Sequence, residues 1–495
     1  MIDLFKKAYS SAEIYQQSVI EKEGTLFFMI RYKSQPYLVI GSEEKKSDYF
    51  SFHGERIDLD GGIYLKCDLS AHNAGCLRSL FPFTKPVPAG KRNSYGLGDR
   101  LGNAGAAHVK AIRETEFFPV LAQQSIRELE RTGRTAEEVL DAASWAVFRE
   151  GYKDGFGADG DHLKTTEDID LMMNAGFTMF TIDPSDYVVN EAINMSHKEL
   201  MHHFENLPWN MLDDQPEKFL ERVGRVDVLL HDGYKLSPSM NEILTGMVKY
   251  GRVITHTKML ADYIKQTWPD YPAELELSVD ETDQPTTLTE HYLIASELAR
   301  LGVDLVSLAP RFCGDFEKGV DFRGDLDQFR DEYLQHLAIA GMFGGYKLSI
   351  HSGSDKFSVY EVIGSINAGV VHVKTAGTSY LEALRTVAEV NPELFFQILE
   401  FSKKRFNEDK KTYHISGLPE NIPDLSSMKG DDLKNLLDQD GARQVLHVAY
   451  GSVLHGQGEI SKKFKKEIMN ALELHQDLYE SNLVKHFRRH LRPFG

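Results

Sequence analysis

The chain has 495 residues, 42% of them hydrophobic and 26% charged, a balance that excludes a disordered tail or a coiled-coil rod and provides for a large buried core. With 56 Lys and Arg against 74 Asp and Glu, the net charge of −18 repels phosphate backbones, so no nucleic-acid partner is expected. No apolar run approaches the roughly 20 residues of a bilayer span, and residues 1–21 lack a basic start followed by an apolar core, so no membrane partner and a cytoplasmic location are expected.

In chain order, residues 1–85 read as a β-rich N-terminal domain. Residues 24–41 alternate β-prone side chains around a Ser34-Gln35-Pro36 turn, and residues 49–69 offer short strands broken at Asp60-Gly61-Gly62. The segment 81–90 carries three prolines and reads as a linker. From about Ser94, short strands alternate with long helical stretches, which is the signature of a parallel sheet. Strands are expected at 94–98, 155–160, 178–182, 274–281, 303–310, 346–351, 370–374 and 412–416. Eight strands predict a (β/α)8 barrel of the TIM type with insertions, over residues 86–460; a doubly wound open sheet is the alternative. The longest insertion, 184–272, contains a strand-like stretch at 252–256. Residues 461–495 are expected to form one amphipathic helix that packs on the barrel, with its basic side chains on a solvated face.

The first chemical signal is the strand at 274–281. Leu275, Leu277 and Val279 share one parity, while Glu274, Glu276, Ser278 and Asp280 share the other. In a barrel the aliphatic face meets the helices, which turns Glu276, Ser278 and Asp280 inward, where an unpaired carboxylate is costly. They then need a metal, a cation or a substrate; an edge strand with one wet face is the alternative. Asp161 and His162 end another strand just before Thr165 opens a helix, on the face of a barrel that carries catalysis. A surface turn or cap is the plainer reading of that pair. His351 stands at the inward end of a third strand, followed by a Ser352-Gly353-Ser354 loop whose backbone N–H groups can meet an anion. Two imidazoles with one or two carboxylates supply the N/O ligand set of a divalent metal. Cys67, Cys76 and Cys313 offer no disulfide framework and no CxxC pair, so a metal has to rest on the 19 histidines and on carboxylates. Glu317 is a candidate third ligand, with a loop carboxylate of no role as the alternative.

Gly96, Gly98 and Gly102 stand in a GxGxxxG spacing without the usual ribose-binding acid, which argues for a tight strand-to-helix loop rather than a dinucleotide site. Arg100 in that loop can fork onto a carboxylate. Lys374 ends a strand, as an acid-neutralising group or a buried ion-pair partner, and Ser379 with Glu382 reads as a capping box. No GxxxxGK[ST], GxSxG or HExxH motif is present.

The segments GLGDRLG, GADGDHLKT, LHDGYKLSPSMNEI, LSVDETDQPTT, LAPRFCGDFEKGVDF, LSIHSGSDKFSVY and HVKTAGTSYLEALR, in this order, resemble the bacterial tagaturonate/fructuronate epimerase family of hexuronate catabolism. The resemblance covers residues 94–456. It implies Asp161 and Glu276 as the acid/base pair and His162, Glu317 and His351 as ligands of a divalent metal (Mn, Fe, Co, Ni or Zn), with Asp280 and Glu281 as competing carboxylates. It further implies a keto-hexuronate substrate whose carboxylate needs a cation, for which Arg100, Lys164, Arg311 and Lys374 are candidates, alongside Ser352. A metal-dependent isomerase or aldolase acting on another sugar acid, and a noncatalytic sugar-acid binding protein, are the competing functions. The sequence does not fix the oligomer, and a homo-oligomer is kept as an expectation.

Overall fold

The computed structural model describes residues 1–43, 51–59, 61–423, 428 and 430–495. Alternating β-prone residues near the N-terminus build an antiparallel sheet of five strands, β1 (Glu13–Lys22), β2 (Thr25–Tyr32), β3 (Gln35–Ser42), β4 (Glu55–Leu59) and β5 (Gly62–Cys67), in the order β1-β2-β3-β5-β4. The β2–β3 turn falls on Lys33 and Ser34, both at positive φ (50° and 65°), the hairpin geometry whose twist suits the flanking strands. Pro36 therefore pairs in the ladder opposite Arg31 instead of shaping the turn. Tyr49, Phe50 and Asp60, which the sequence assigned to strands and a turn, lie outside the described residues. The sheet docks through Phe27, which stacks edge-on against Phe81, and through Trp145 and Phe148 of the helix Ala136–Arg149.

Eight parallel strands close into a barrel: β6 (Ser94–Leu97), β7 (Phe118–Ser125), β8 (Gly157–Leu163) and β9 (Met179–Ile182), and, after a short ribbon β10 (Val228–Leu229) and β11 (Lys235–Leu236), β12 (Glu274–Val279), β13 (Leu305–Pro310), β14 (Lys347–Ile350) and β15 (Val371–Thr375). The ring runs β6 to β9, then β12 to β15, with β15 paired back onto β6. The TIM-type barrel expected from the sequence is present, and seven of its strands overlap the expected ones. The eighth does not. Residues 412–416 are the end of one helical turn (Lys410–Thr412) running into irregular chain. The missing strand is β7, whose sequence Phe-Pro-Val-Leu-Ala-Gln-Gln-Ser hides its character behind a proline and two glutamines. All eight residues are buried, since β7 lies between β6 and β8 in the closed barrel, and Gln123 faces the polar interior rather than water.

The insertion between β9 and β12 is largely helical, and 252–256 is helix rather than strand. It lies within the 28-residue helix Met240–Thr267, which Ser239 and Glu242 open as a capping box. Once nucleated, that helix carries the β-branched Val253, Ile254 and Thr255 on packing rather than propensity. The C-terminal stretch is two helices, Glu459–Leu474 and Gln476–Leu491, broken at His475. Ser379 is no cap. The helix Thr378–Val390 starts behind Gly377, and the Ser379 hydroxyl donates to the Gly98 carbonyl. Among the described residues, no helix is long and apolar enough to cross a membrane.

Candidate active site

The period-two pattern of β12 works as its sequence demands. Leu275, Leu277 and Val279 pack under the helices, and Glu276 and Ser278 point into the barrel, Glu276 with 0% exposure. On β8 the same parity turns Asp159 and Asp161 inward. The strand register then slips between Gly160 and Leu163, and His162 within this irregularity takes φ 57°, a left-handed conformation costly for a residue with a Cβ. That slip carries the imidazole to the mouth of the barrel. His351 follows β14, and the next residue, Ser352, is also left-handed (φ 51°).

At the mouth, His162, Asp280 and His351 offer ligand atoms that all lie within 4.8 Å of one another. Each imidazole has a second carboxylate behind it. Asp161 Oδ1 is 2.9 Å from His162 Nδ1, and Glu276 Oε1 is 2.8 Å from His351 Nε2, while His351 Nδ1 faces Asp280 Oδ1 at 3.2 Å. Below this layer the Lys374 ammonium donates to Asp161 Oδ1 (2.9 Å) and Thr181 Oγ1 (2.5 Å) and pairs with Asp159 Oδ2 and Glu276 Oε1, each at 2.7 Å.

These charges set one another. Burial works to raise the Asp161 and Glu276 carboxyls, but His162 and Lys374 beside the first, and Lys374 and His351 beside the second, hold both well below the usual carboxylate range. Burial works to lower the two imidazoles, and is outweighed by Asp161 for His162, raised to about 9, and by Asp280 for His351, raised to about 10. Asp159 goes the other way: burial raises it to about 6 against the pull of Lys374.

Above lies a cavity of about 490 Å³, lined among others by Asp280, Glu281, His351, Ser352, Arg127, Arg311 and Lys318. Asp161 and Glu276 form its sublayer, each reached past an imidazole. Three cations stand on the cavity wall. The Arg127 and Arg311 guanidinium groups form no ion pair among the described residues, and Lys318 donates to Ser352 Oγ at 2.6 Å.

The structure thus brings together Asp161, His162, Glu276, Asp280, His351 and Lys374, and sets Glu281, Arg311 and Ser352 on the cavity above them. Three residues singled out in the sequence stand apart. Arg100 is buried in an ion pair with Glu128 at 2.9 Å and lies over the Tyr450 ring. Lys164 pairs with Asp186 at 3.0 Å. Glu317 Oε2 accepts from Ser416 N–H (3.0 Å) and Oγ (2.8 Å) and from Gln444 Nε2 (2.8 Å), and Glu317 is not in the His162–His351 group. Asp159, Thr181, Arg127 and Lys318 were missed. The alternation of β8 contains the signal for Asp159, two residues before Asp161; Arg127 was hidden because β7, which it follows, was not read as a strand.

Fold and site together define a (β/α)8-barrel enzyme with buried, ion-paired carboxylates beneath a cavity lined by both acidic and basic side chains. The chain belongs to the tagaturonate epimerase family, whose model matches residues 15–494. It is 41% identical over 495 residues to the curated tagaturonate/fructuronate epimerase of Thermotoga maritima, covering 99% of this chain and 98% of that protein. Among solved structures, the fructuronate-tagaturonate epimerase UxaE of Cohnella laeviribosi in a glycerol complex superposes with a TM-score of 0.92 at 38% identity, covering 100% of this chain and 99% of that one. The native crystal structure of the same protein gives 0.91 at the same identity and coverage.

Proposed function

We propose that this chain interconverts D-tagaturonate and D-fructuronate with the help of a divalent metal cation, with Asp161 and Glu276 as the acid–base pair. The observation that carries the reading is the placement of two buried carboxylates, on different strands, directly beneath an imidazole–carboxylate set at the catalytic face of one barrel. Membership of the tagaturonate epimerase family and the likeness to the Thermotoga maritima protein support this substrate pair.

The two keto-hexuronates differ in configuration at the carbon one removed from the carbon next to the ketone, whose proton the carbonyl does not acidify directly. Inversion there can run through retro-aldol cleavage and re-addition or through proton exchange by a relayed enediolate. Either route needs polarised substrate oxygens and protonic groups on opposite faces. His162, Asp280 and His351 suit a divalent cation by donor chemistry, and the carboxylates behind the imidazoles are the partners that orient metal-bound histidines. When bound, such a cation supplies Lewis-acid polarisation of the ketone and hydroxyl oxygens; Mn, Fe, Co, Ni and Zn all accept these ligands. Asp280 replaces Glu317 as third ligand in this reading, because Asp280 lies with His162 and His351 and Glu317 does not. Asp161 and Glu276 take a proton from the substrate and return one to it. Arg127, Arg311 and Lys318 receive the substrate carboxylate, offering cations on the cavity wall in a chain of net charge −18. We place the protein in the cytoplasm, a location its three free cysteines suit.

Incubating metal-loaded protein with D-tagaturonate in D2O and following the products by NMR tests this. D-fructuronate is expected to form, to stop forming after EDTA, and to reappear on metal addition. Deuterium at the inverted carbon marks proton exchange, and retained protium marks retro-aldol inversion. Absence of interconversion overturns the substrate assignment, and full turnover in metal-free protein overturns the cofactor.

A further inference from the structure

The sublayer of the site contains one carboxylate more than an acid–base pair requires. Asp159 is fully buried, faces inward from β8 two residues before Asp161, and points its Oδ2 at Lys374 Nζ from 2.7 Å. Its other oxygen accepts from the Thr181 hydroxyl at 2.9 Å. That hydroxyl also lies 3.2 Å from Glu276 Oε1 and accepts from Lys374. Thr181 and Glu276 are direct partners in the β9–β12 ladder, so the hydroxyl is fixed by the backbone register. Lys374 is a long flexible arm arriving from β15, three strands round the ring from both β12 and β8, and its ammonium reaches Asp161 and Glu276 alike. Without a third anion it can settle on either carboxylate and leave the other with only its imidazole partner, His162 for Asp161 and His351 for Glu276.

We infer that Asp159 is a positioning residue: with Thr181 it anchors the Lys374 ammonium from below, and so holds Asp161 and Glu276 at one fixed separation beneath the substrate. Asp159 touches neither the cavity nor the His162, Asp280 and His351 group. Its influence reaches the pair through Lys374 and through the Thr181 hydroxyl, and not through the cavity, which separates a positioning role from a ligand role. The inference rests on the acid–base reading of Asp161 and Glu276 given above.

The test is a double-mutant cycle on purified, metal-loaded protein, with Asp159→Asn, Lys374→Met and the pair together, reading kcat, KM, bound metal and melting temperature. Asp159→Asn preserves shape and removes the anchoring charge. It is expected to lower kcat about 10- to 100-fold, the scale of a displacement near 1 Å in a catalytic group, with KM within about threefold and metal content unchanged. In the double variant Asp159→Asn is expected to add little further loss to that of Lys374→Met, since most of its effect runs through the amine. A kcat within twofold of the parent, or a loss that adds fully to that of Lys374→Met, overturns the inference. Thr181→Val, which removes only the bridging hydroxyl, carries the same expectation with a smaller loss and serves if Asp159→Asn does not fold; unchanged kcat there overturns it equally. Asp161→Asn and Glu276→Gln run alongside separate the two failures. Full turnover in either removes the acid–base reading, whereas full turnover in Asp159→Asn with both of those inactive removes only the positioning role.

Discussion

Glu276 on β12 and His351 at the end of β14 meet over the intervening strand β13 with Oε1 and Nε2 2.8 Å apart, so one carboxylate both orients the imidazole at the mouth and binds the Lys374 ammonium below it. Two layers of the site are coupled through a single oxygen. A change at Glu276 is therefore expected to act on chemistry before it acts on substrate capture.

Glu276→Gln keeps the size of the side chain and an oxygen for His351, and removes the charge and the proton acceptor. Loss of a general acid or base costs about 10²- to 10⁴-fold, so kcat is expected to fall in that range while keto-hexuronate binding stays within a fewfold of the parent. Turnover by NMR and binding by calorimetry check this together. Parent-like turnover would take Glu276 out of the mechanism.

The proposed third metal ligand is tested by metal content. Asp280→Asn removes the charged oxygen that faces His351 Nδ1 at 3.2 Å, and second- or first-sphere losses of this kind lower metal affinity at least 10- to 100-fold. Glu317→Gln disturbs the contacts to Ser416, Gln444 and Arg323. Inductively coupled plasma analysis after dialysis is expected to find the metal depleted in the first variant and retained in the second; the reverse order would return Glu317 to the ligand set.

Much of this was legible in the sequence where one physical rule acted alone. On β12 strict alternation fixed which residues face inward, because a one-residue slip would have buried the carboxylates against the helices. Thr165 was legible as a cap because its hydroxyl and the Asp168 carboxylate close a capping box. Legibility failed where tertiary context overrode the local rule. β7 accepts Gln123 because the barrel interior is polar and Gln124 because it donates to the Asp99 carbonyl, residues 252–256 are helical because they lie within a long capped helix, and Glu317 binds a loop about 100 residues away in sequence. Nor does any local pattern foretell that Lys374 would be drawn into a cage of three carboxylates rather than left for the substrate.

The Arg127 and Arg311 guanidinium groups on the cavity wall, which form no ion pair among the described residues, give a binding prediction of opposite character to that for Glu276. A charged hydrogen bond is worth about 1.5–3 kcal/mol, so Arg311→Met is expected to raise KM for the keto-hexuronate roughly 10- to 100-fold with a smaller change in kcat, and Arg127→Met to act in the same sense. The corresponding neutral ketohexose, which lacks the carboxylate, is expected to bind parent and variants alike. Equal losses for acid and neutral sugar would remove these residues from carboxylate recognition.

A last prediction concerns the loop that carries Ser352. Asp355, three residues on, is buried and itself left-handed (φ 64°), and its carboxylate meets Arg443 at 2.5 Å and His486 at 2.7 Å. Burial alone would raise this carboxyl, but Arg443 and His486 outweigh it and hold it well below the usual range. A carboxyl whose folded pKa is depressed adds stability that is complete above its unfolded pKa, near 3.9, and is lost as the pH falls through the folded value, because there the unfolded chain binds the proton first. Asp355→Asn leaves Arg443 buried and without its partner, so the variant is expected to be about 3–5 kcal/mol less stable at neutral pH. It also lacks this part of the acid-dependent loss, and the melting curves of parent and variant should converge as the pH is lowered below about 4. Calorimetric melting temperatures measured from pH 7 down to the acid limit read both effects. Parallel curves, with a constant gap at every pH, would mean that the Asp355 carboxylate is not held in its charged form by Arg443 and His486.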